Sequence, residues 1–461
     1  MAFELRFNDK EVTAWGGLAL LKRMLDQLGF TVALQNSGLP QPRSNRGYDP
    51  AQLMTQFMLS VWCGANRFEH GEVTRHDPVI GELFGFTQMA NFKAIIRLFR
   101  RFTNHHNETV FDNLYQWQFN NLALQNITLD LDSTVMTRYG HQEGAAKGYN
   151  PRKPGRLSHH PLMAFVAEAD MVANCWLRPG NTHSINNAQG FLDNTLHRLG
   201  TKQVGLVRAD SGFCDQAFLQ HLEQKQLNYT VALRLNAPLQ NALVHAGHDG
   251  YGWWPLVDEQ GNHVPGIELT QFVYQAPSWD RPRWVTGIRQ HIQTREQAKG
   301  KNLSLFADDP YVGCWRYSAI VSNVNLSATQ IWRLYRGRAN CENRIKELKY
   351  DFGADAFNMK AFNATEAALN TVMIAYNLMS LFKQVLVKST RSHKGKPKPV
   401  NQTLKTLRYK LFAKAAHITK QGKNRILNLV VNMRQRQWIK GIWDATRALE
   451  LPIQLSPRPC G

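Results

Sequence analysis

The 461-residue sequence predicts an α/β fold, on three observations. Up to about residue 125, apolar side chains recur at helical spacing; beyond it, short runs rich in aliphatic and β-branched residues take over. Two of those runs end in aspartate followed by turn formers: Ile127 to Asp132, before Ser133 and Thr134, and Val204 to Asp210, before Ser211 and Gly212. Buried strands look like this, because a run of this length closed by turn residues suits a sheet interior. The third observation is a return to helical spacing from Ala328 to Asp351, with Tyr335, Arg338, Glu342 and Lys349 at offsets of three, four and seven. At roughly 100° per residue those four fall within about 60° on one face, whereas Glu347 lies on roughly the opposite one.

Taken in order, Gly17 to Leu28, Ala51 to Trp62 and Phe92 to Phe102 have apolar residues at helical spacing. The segment Asp77 to Arg101 reads as helix, Gly-containing turn and basic helix carrying Lys93, Arg97, Arg100 and Arg101. It suits a helix-turn-helix or a plain packing pair. Strands are expected at 127–132, 161–169, 171–178, 204–210 and 229–235, with helices from Ile185 to Leu199 and Asp215 to Lys225. Residues 236–325 hold Trp253, Trp254, Trp279 and Trp284, Gly and Pro turns and alternating runs such as Arg316 to Ser322, so a β-rich subdomain is expected there. The apolar face of Ala364 to Leu386 should pack beneath the helical stretch Ala328 to Asp351, and basic amphipathic helices should come after a Lys-Gly-Lys-Pro-Lys-Pro linker at 394–399.

The formal charge is +20, which points to a polyanionic partner, since a basic surface attracts phosphate backbones and releases their counterions. Sixteen Lys and Arg and no Asp or Glu lie between Lys383 and Lys440. Six scattered cysteines contain no Cys-x-x-Cys pair, against a zinc ribbon or disulfide framework and in favour of buried thiols in a reducing compartment. The N-terminal residues lack a signal pattern and no run is long enough to span a bilayer, so a cytoplasmic protein without a membrane partner is expected.

Asp132-Ser-Thr, Asp210-Ser-Gly-Phe and Tyr-x2-Arg-x3-Glu-x6-Lys, in that order, resemble the DDE transposases of bacterial insertion sequences, specifically the group 1 family with the YREK signature. Between the two aspartates, Lys147-Gly-Tyr-Asn-Pro through His159-His160-Pro-Leu162 is similar to the Gly-Tyr-Asn-Pro…His-Pro-Leu stretch of that family. The resemblance runs from roughly residue 10 to 380. It implies a ribonuclease H-like mixed sheet, divided here as 126–235 and 326–387 around an inserted β-rich subdomain at 236–325. A helical, DNA-end-binding region at 1–125 precedes that core and a basic helical region at 388–461 follows it.

It also implies a transposase that binds terminal inverted repeats, cleaves the DNA and joins 3′ ends to a target. Its partners would be double-stranded transposon ends and target DNA, engaged as a homodimer at the nucleoid. Asp132, Asp210 and Glu342 are the expected catalytic residues and metal ligands, because three carboxylates can offer hard oxygen donors to two Mg²⁺ ions, with Mn²⁺ as a substitute. Tyr335, Arg338 and Lys349 would hold phosphates, joined by Lys147, Arg152, Lys153, Arg156 and His160 from the loop between the first two strands. Asp130, two residues before Asp132 and on the same side of its strand, is either a supporting acid or a ligand. Asp210 also suits a turn or helix cap, although Asp215 suits the cap better. One of the four tryptophans could stack on a flipped base, and core packing is the alternative. Two other functions share these features: a structure-selective nuclease and a catalytically silent DNA-binding protein.

Overall fold

The computed structural model describes residues 3–7, 9–42, 44, 47–120, 122, 124–246, 252–292, 315–389 and 402–447. The expected linker at 394–399 lies outside them. The N-terminal part is helical: α1 (Leu18–Gln27), α2 (Phe30–Gln35), α3 (Pro50–Trp62), α4 (Gly71–Arg75), α5 (Pro78–Phe84), α6 (Phe92–Phe99) and α7 (Asn104–Asn120). Local chemistry sets their starts. Asp49 and Asp77 cap α3 and α5, each followed by a proline whose missing N–H costs nothing in the first turn. Lys93, Arg97, Arg100 and Arg101 are exposed, while Ile95, Leu98 and Phe99 of α6 are buried.

The chain then forms β1 (Asn126–Ser133), β2 (Met136–Thr137), β3 (Ala146–Lys147), β4 (Leu157–His159), β5 (Leu162–Val166), β6 (Met171–Trp176), α8 (Ala188–Leu199), β7 (Gln203–Ala209), α9 (Gln216–Gln224) and β8 (Tyr229–Ala232). Next come α10 (Ala237–His245), β9 (Trp254–Val257), β10 (His263–Tyr274), β11 (Arg283–His291), β12 (Trp315–Ser322), α11 (Ala328–Arg336), α12 (Ala339–Tyr350) and α13 (Phe362–Ser389). The last elements are α14 (Leu404–Leu407), β13 (Ala416–Gln421), β14 (Asn424–Leu429) and α15 (Met433–Arg447).

Nine of the described strands make one mixed sheet, ordered β6-β5-β1-β7-β8-β12-β11-β10-β9. β1 is parallel to β7 and β7 to β8, whereas β5 and β6 run antiparallel to complete one side. Among the described residues the β-rich stretch forms no sheet of its own. β12 returns antiparallel beside β8, with Ile320 opposite Ala232, so the hydrogen-bonding edge of β8 is satisfied by continuing the same sheet. Trp279 is buried there, and Trp254 and Trp284 are about half exposed. Trp253 lies beneath the Arg289 guanidinium, 4.7 Å from ring centre to charge.

α13 is buried around much of its circumference from Val372 to Met379, as a helix enclosed by other elements must be. Its Asn377 accepts from the Val172 N–H at 2.7 Å and donates to the Val172 carbonyl at 2.8 Å, so a helix side chain closes the β6 edge. No helix of the described residues is long and apolar enough to cross a membrane.

Two expectations need correction. The stretch from Ala328 to Asp351 is two helices, because the Arg208 guanidinium donates to the Leu334 carbonyl at 2.7 Å and the Arg338 N–H turns to the Tyr335 carbonyl instead. The basic region after residue 388 is only partly helical. β13 and β14 form a hairpin turning at Gly422 (φ +60°), and Ala416 pairs with Thr13. The two segments meet closely: a Cβ on Gly17 would sit 1.9 Å from the Leu411 carbonyl oxygen. The described part of this basic region is therefore packed against the N-terminal helices.

Candidate active site

β1 and β7 lie side by side and parallel, so Asp132 at the end of one and Asp210 just past the end of the other emerge at the same edge. Each aspartate is fixed by one oxygen. Asp132 Oδ1 accepts the Ser133 N–H at 2.7 Å, and Asp210 Oδ1 accepts the Gly212 N–H at 2.9 Å. The other oxygens share a cation, since Arg338 Nη2 is 3.1 Å from Asp132 Oδ2 and 4.0 Å from Asp210 Oδ2. Ser133 and Ser184 share a 2.8 Å hydrogen bond, and a Cβ on Gly212 would lie 3.1 Å from Ser184 Oγ, so Ser184 packs between the two strand ends. Asp210 is thus both a turn residue and a wall of the site, while Asp215 caps α9 through the N–H groups of Ala217 and Phe218.

Arg338 opens α12, and Glu342 follows in that helix's first turn, exposed. Burial pushes the Asp132 carboxyl up to about 6; Arg338 pulls it back, and the negative charges of Asp210 and Glu342 push it further up. Asp210 and Glu342 are therefore both within electrostatic reach of Asp132. Tyr335, half-buried at the end of α11, has its hydroxyl held above its ordinary range by burial and by Asp210 and Asp132, with Arg338 opposing. Lys349 donates to the Val135 carbonyl at 2.8 Å. Burial brings its ammonium down to about 8, against the attraction of Asp355 and Asp132 and with the help of Arg152 and Arg138.

Asp130 has a different role. It is fully buried, with Arg208 Nε and Nη2 donating to its two oxygens at 2.6 and 3.0 Å and Arg344 Nη1 donating at 3.1 Å. Arg344 also reaches Asp170 and the Ala167 carbonyl, so this acid pins α12 to the sheet. Both its oxygens are taken.

A family model described as transposase DDE domain group 1 matches residues 2–450. The chain belongs to that family. It is a DDE transposase, a divalent-metal-dependent enzyme of DNA cleavage and strand transfer. No curated protein matches it. Among solved structures it is similar to a piggyBac transposase synaptic complex with hairpin DNA, at 11% identity and a TM-score of 0.44, covering 88% of this chain and 82% of that one.

In this transposase the acid set suits a hard divalent ion by its chemistry: oxygen donors only, mutually repelling and partly buried. Among the described residues no three His, Cys, Asp or Glu side chains converge closely enough to hold one ion as they stand. The Arg338 guanidinium instead approaches both strand-end acids, 3.1 Å from Asp132 and 4.0 Å from Asp210.

The segment from β3 to just past β4 holds the remaining expected residues. Lys147, Arg152, Lys153 and Arg156 are exposed. Arg152 donates to the Tyr350 hydroxyl at 2.9 Å, and Lys153 bonds to the Tyr139 hydroxyl. His160, expected on a phosphate, is instead buried; its Nδ1 lies 2.8 Å from the Thr182 carbonyl oxygen, and burial holds its pKa below the usual range. Its role is to hold the segment that carries Ser184. His159 is likewise internal: its Nδ1 accepts from Arg138 Nε at 2.9 Å, and burial lowers its pKa to about 4.

Sequence reasoning missed Arg208, Arg344, Gly337 and Arg178. Gly337 is needed because a Cβ there would lie 2.3 Å from Arg208 Nη1. Arg178 is buried and donates to the carbonyls of His160, His183 and Asn186, shaping the loop beside Asp210. A signal for Arg208 was present: it stands two residues before Asp210, as Asp130 does before Asp132.

Proposed function

We propose that this transposase binds the terminal inverted repeats of an insertion sequence, cuts the DNA at the element's ends and joins the 3′ ends to target DNA. Asp132, Asp210 and Glu342 would hold two divalent cations, Mg²⁺ with Mn²⁺ as a substitute. The observation that carries this reading is the meeting of Asp132 and Asp210 at one sheet edge, where a backbone N–H holds one oxygen of each acid and the other oxygens face the single cation of Arg338.

Divalent ions in this acid set would stabilise the attacking and leaving oxygens of an in-line displacement at phosphorus. The chain's own groups do the rest. Arg338, once drawn off Asp132, has the planar fork that suits a phosphate, and Lys349 supplies a second positive charge on the same helix. Tyr335 supplies a hydroxyl beside Arg338. The Asp130, Arg208 and Arg344 cluster keeps α12 in register with β1, so that Glu342 stays near the strand-end acids. Lys147, Arg152, Lys153 and Arg156 would position the flanking backbone without reading sequence.

The strand order β6-β5-β1-β7-β8 supports a ribonuclease H-like core at 126–235 and 326–387, with 236–325 inserted. The exposed cations of α6 support end binding by 1–125, and 388–461 would add non-specific affinity. We read the active assembly as a homodimer pairing two ends on nucleoid DNA in the cytoplasm. The test is to incubate the protein with its own gene's flanking DNA and Mg²⁺ or Mn²⁺. Joined products support the proposal, cutting without joining would make it a nuclease, and binding alone would make it a silent relative.

A further inference from the structure

Beside the last turn of α12, three tyrosine rings face solvent: Tyr139, Tyr149 and Tyr350 are 71%, 75% and 68% exposed. Two of them are held through their hydroxyls, and the third by the backbone on either side of it. Tyr139 bonds through its hydroxyl to Lys153, whose ammonium also lies 4.8 Å from the ring centre. Tyr350 accepts from Arg152 at 2.9 Å. Tyr149 stands between Gly148, whose backbone is pressed against the Gly180 carbonyl, and Asn150, which is buried. The Asn150 side chain donates to Thr137 Oγ1 at 3.0 Å and accepts the Lys153 N–H at 3.1 Å. One loop therefore presents two rings and both cations against the helix that carries the third ring.

The placement is close to the chemistry. Tyr350 is eight residues beyond Glu342 on α12, about 12 Å along the helix axis. Gly180, against which Gly148 rests, lies in the loop that also carries Ser184 beside Asp210. From Arg138 to Arg156 the loop has five Lys or Arg and a single acid, Glu143, whose carboxylate accepts the Phe362 N–H at 2.8 Å.

Cations alone would serve a continuous duplex, whose base faces are covered by stacking and which offers a protein phosphates and groove edges. Exposed rings interleaved with cations suit bases whose faces are open. We propose that Tyr139, Tyr149 and Tyr350 form a stacking platform for unpaired nucleobases, so that this transposase holds the strand flanking its cleavage site locally opened. The inference rests on the DNA-cleaving reading above and deepens it by naming the form of DNA engaged.

The test uses the full-length protein without added metal and three fluorescent probes read by anisotropy. These are an oligothymidine strand, a blunt duplex from the gene's own flank, and the same duplex carrying unpaired thymines. The wild type is expected to prefer the unpaired-thymine duplex over the blunt one. Tyr139→Ala, Tyr149→Ala and Tyr350→Ala should each weaken binding to both thymine probes by on the order of tenfold, leaving the blunt duplex unaffected, and the three Phe replacements should restore it. Equal loss on all probes, or no loss on the thymine probes, overturns the platform. Wild-type binding to the blunt duplex with no preference for unpaired thymines overturns the platform alone. Failure of the wild type to bind any probe overturns the DNA-cleaving reading together with it.

Discussion

Replacing each of the two aspartates of β1 with asparagine should give opposite results. Asp130 is fully buried and compensates two guanidinium groups, so Asp130→Asn leaves Arg208 with uncompensated charge in the interior and Arg344 with Asp170 alone. Breaking a buried pair by removing one partner costs about 3–5 kcal/mol, a large share of ordinary folding stability. For Asp132 the sign reverses. Its folded pKa is raised from 3.8 to about 6, so its stabilising contribution is complete below the unfolded value and is lost as pH climbs through the folded one. At about 1.4 kcal/mol per pH unit, that gap makes the ionised form about 3 kcal/mol unfavourable at neutral pH, a strain that Asp132→Asn removes. The assay is urea unfolding followed by tryptophan fluorescence at about pH 4 and about pH 7. Asp130→Asn should unfold at markedly lower urea at both. Asp132→Asn should match the wild type at the lower pH and equal or exceed it at the higher, while losing DNA cleavage. A destabilised Asp132→Asn protein, or an Asp130→Asn protein with the wild-type midpoint, would refute the division of roles.

Gly337→Ala should push Arg208 off the Leu334 carbonyl, costing about 1–3 kcal/mol and lowering cleavage; an unchanged melting temperature counts against the close approach. Lys349, brought down to about 8, is charged below that pH and neutral above it, so DNA affinity should fall as pH rises through 8. The fall should be absent in Lys349→Met, as titration of binding at constant salt would report. Lys420→Gln with Lys423→Gln removes two exposed charges from the hairpin and should flatten the salt dependence of DNA binding by about 0.9 per lost phosphate contact. An unchanged slope would remove the hairpin from the DNA path.

What this sequence determines alone is whatever local period and capping chemistry decide. The amphipathic runs of the N-terminal part, the capped starts of α3 and α5, and the aspartate-ended strands β1 and β7 follow from residue spacing and turn formers, which act within a few positions. The order of the acids and of the Tyr335, Arg338, Glu342 and Lys349 set was equally plain. Neighbours distant in the chain were not legible. Asp130 could be told from Asp132 only when β1 lay beside β7 and brought Arg208 against it, and the break before α12 came from that same arginine taking the Leu334 carbonyl. His160 looked like a surface cation in a basic loop, yet the strand that follows draws it inside. The lysine-rich hairpin read as helix because its partners, Thr13 and the glycines before α1, lie some four hundred residues earlier. Local propensity is a weak prior, and contacts between distant segments override it wherever a backbone group or a charge must find its partner on burial.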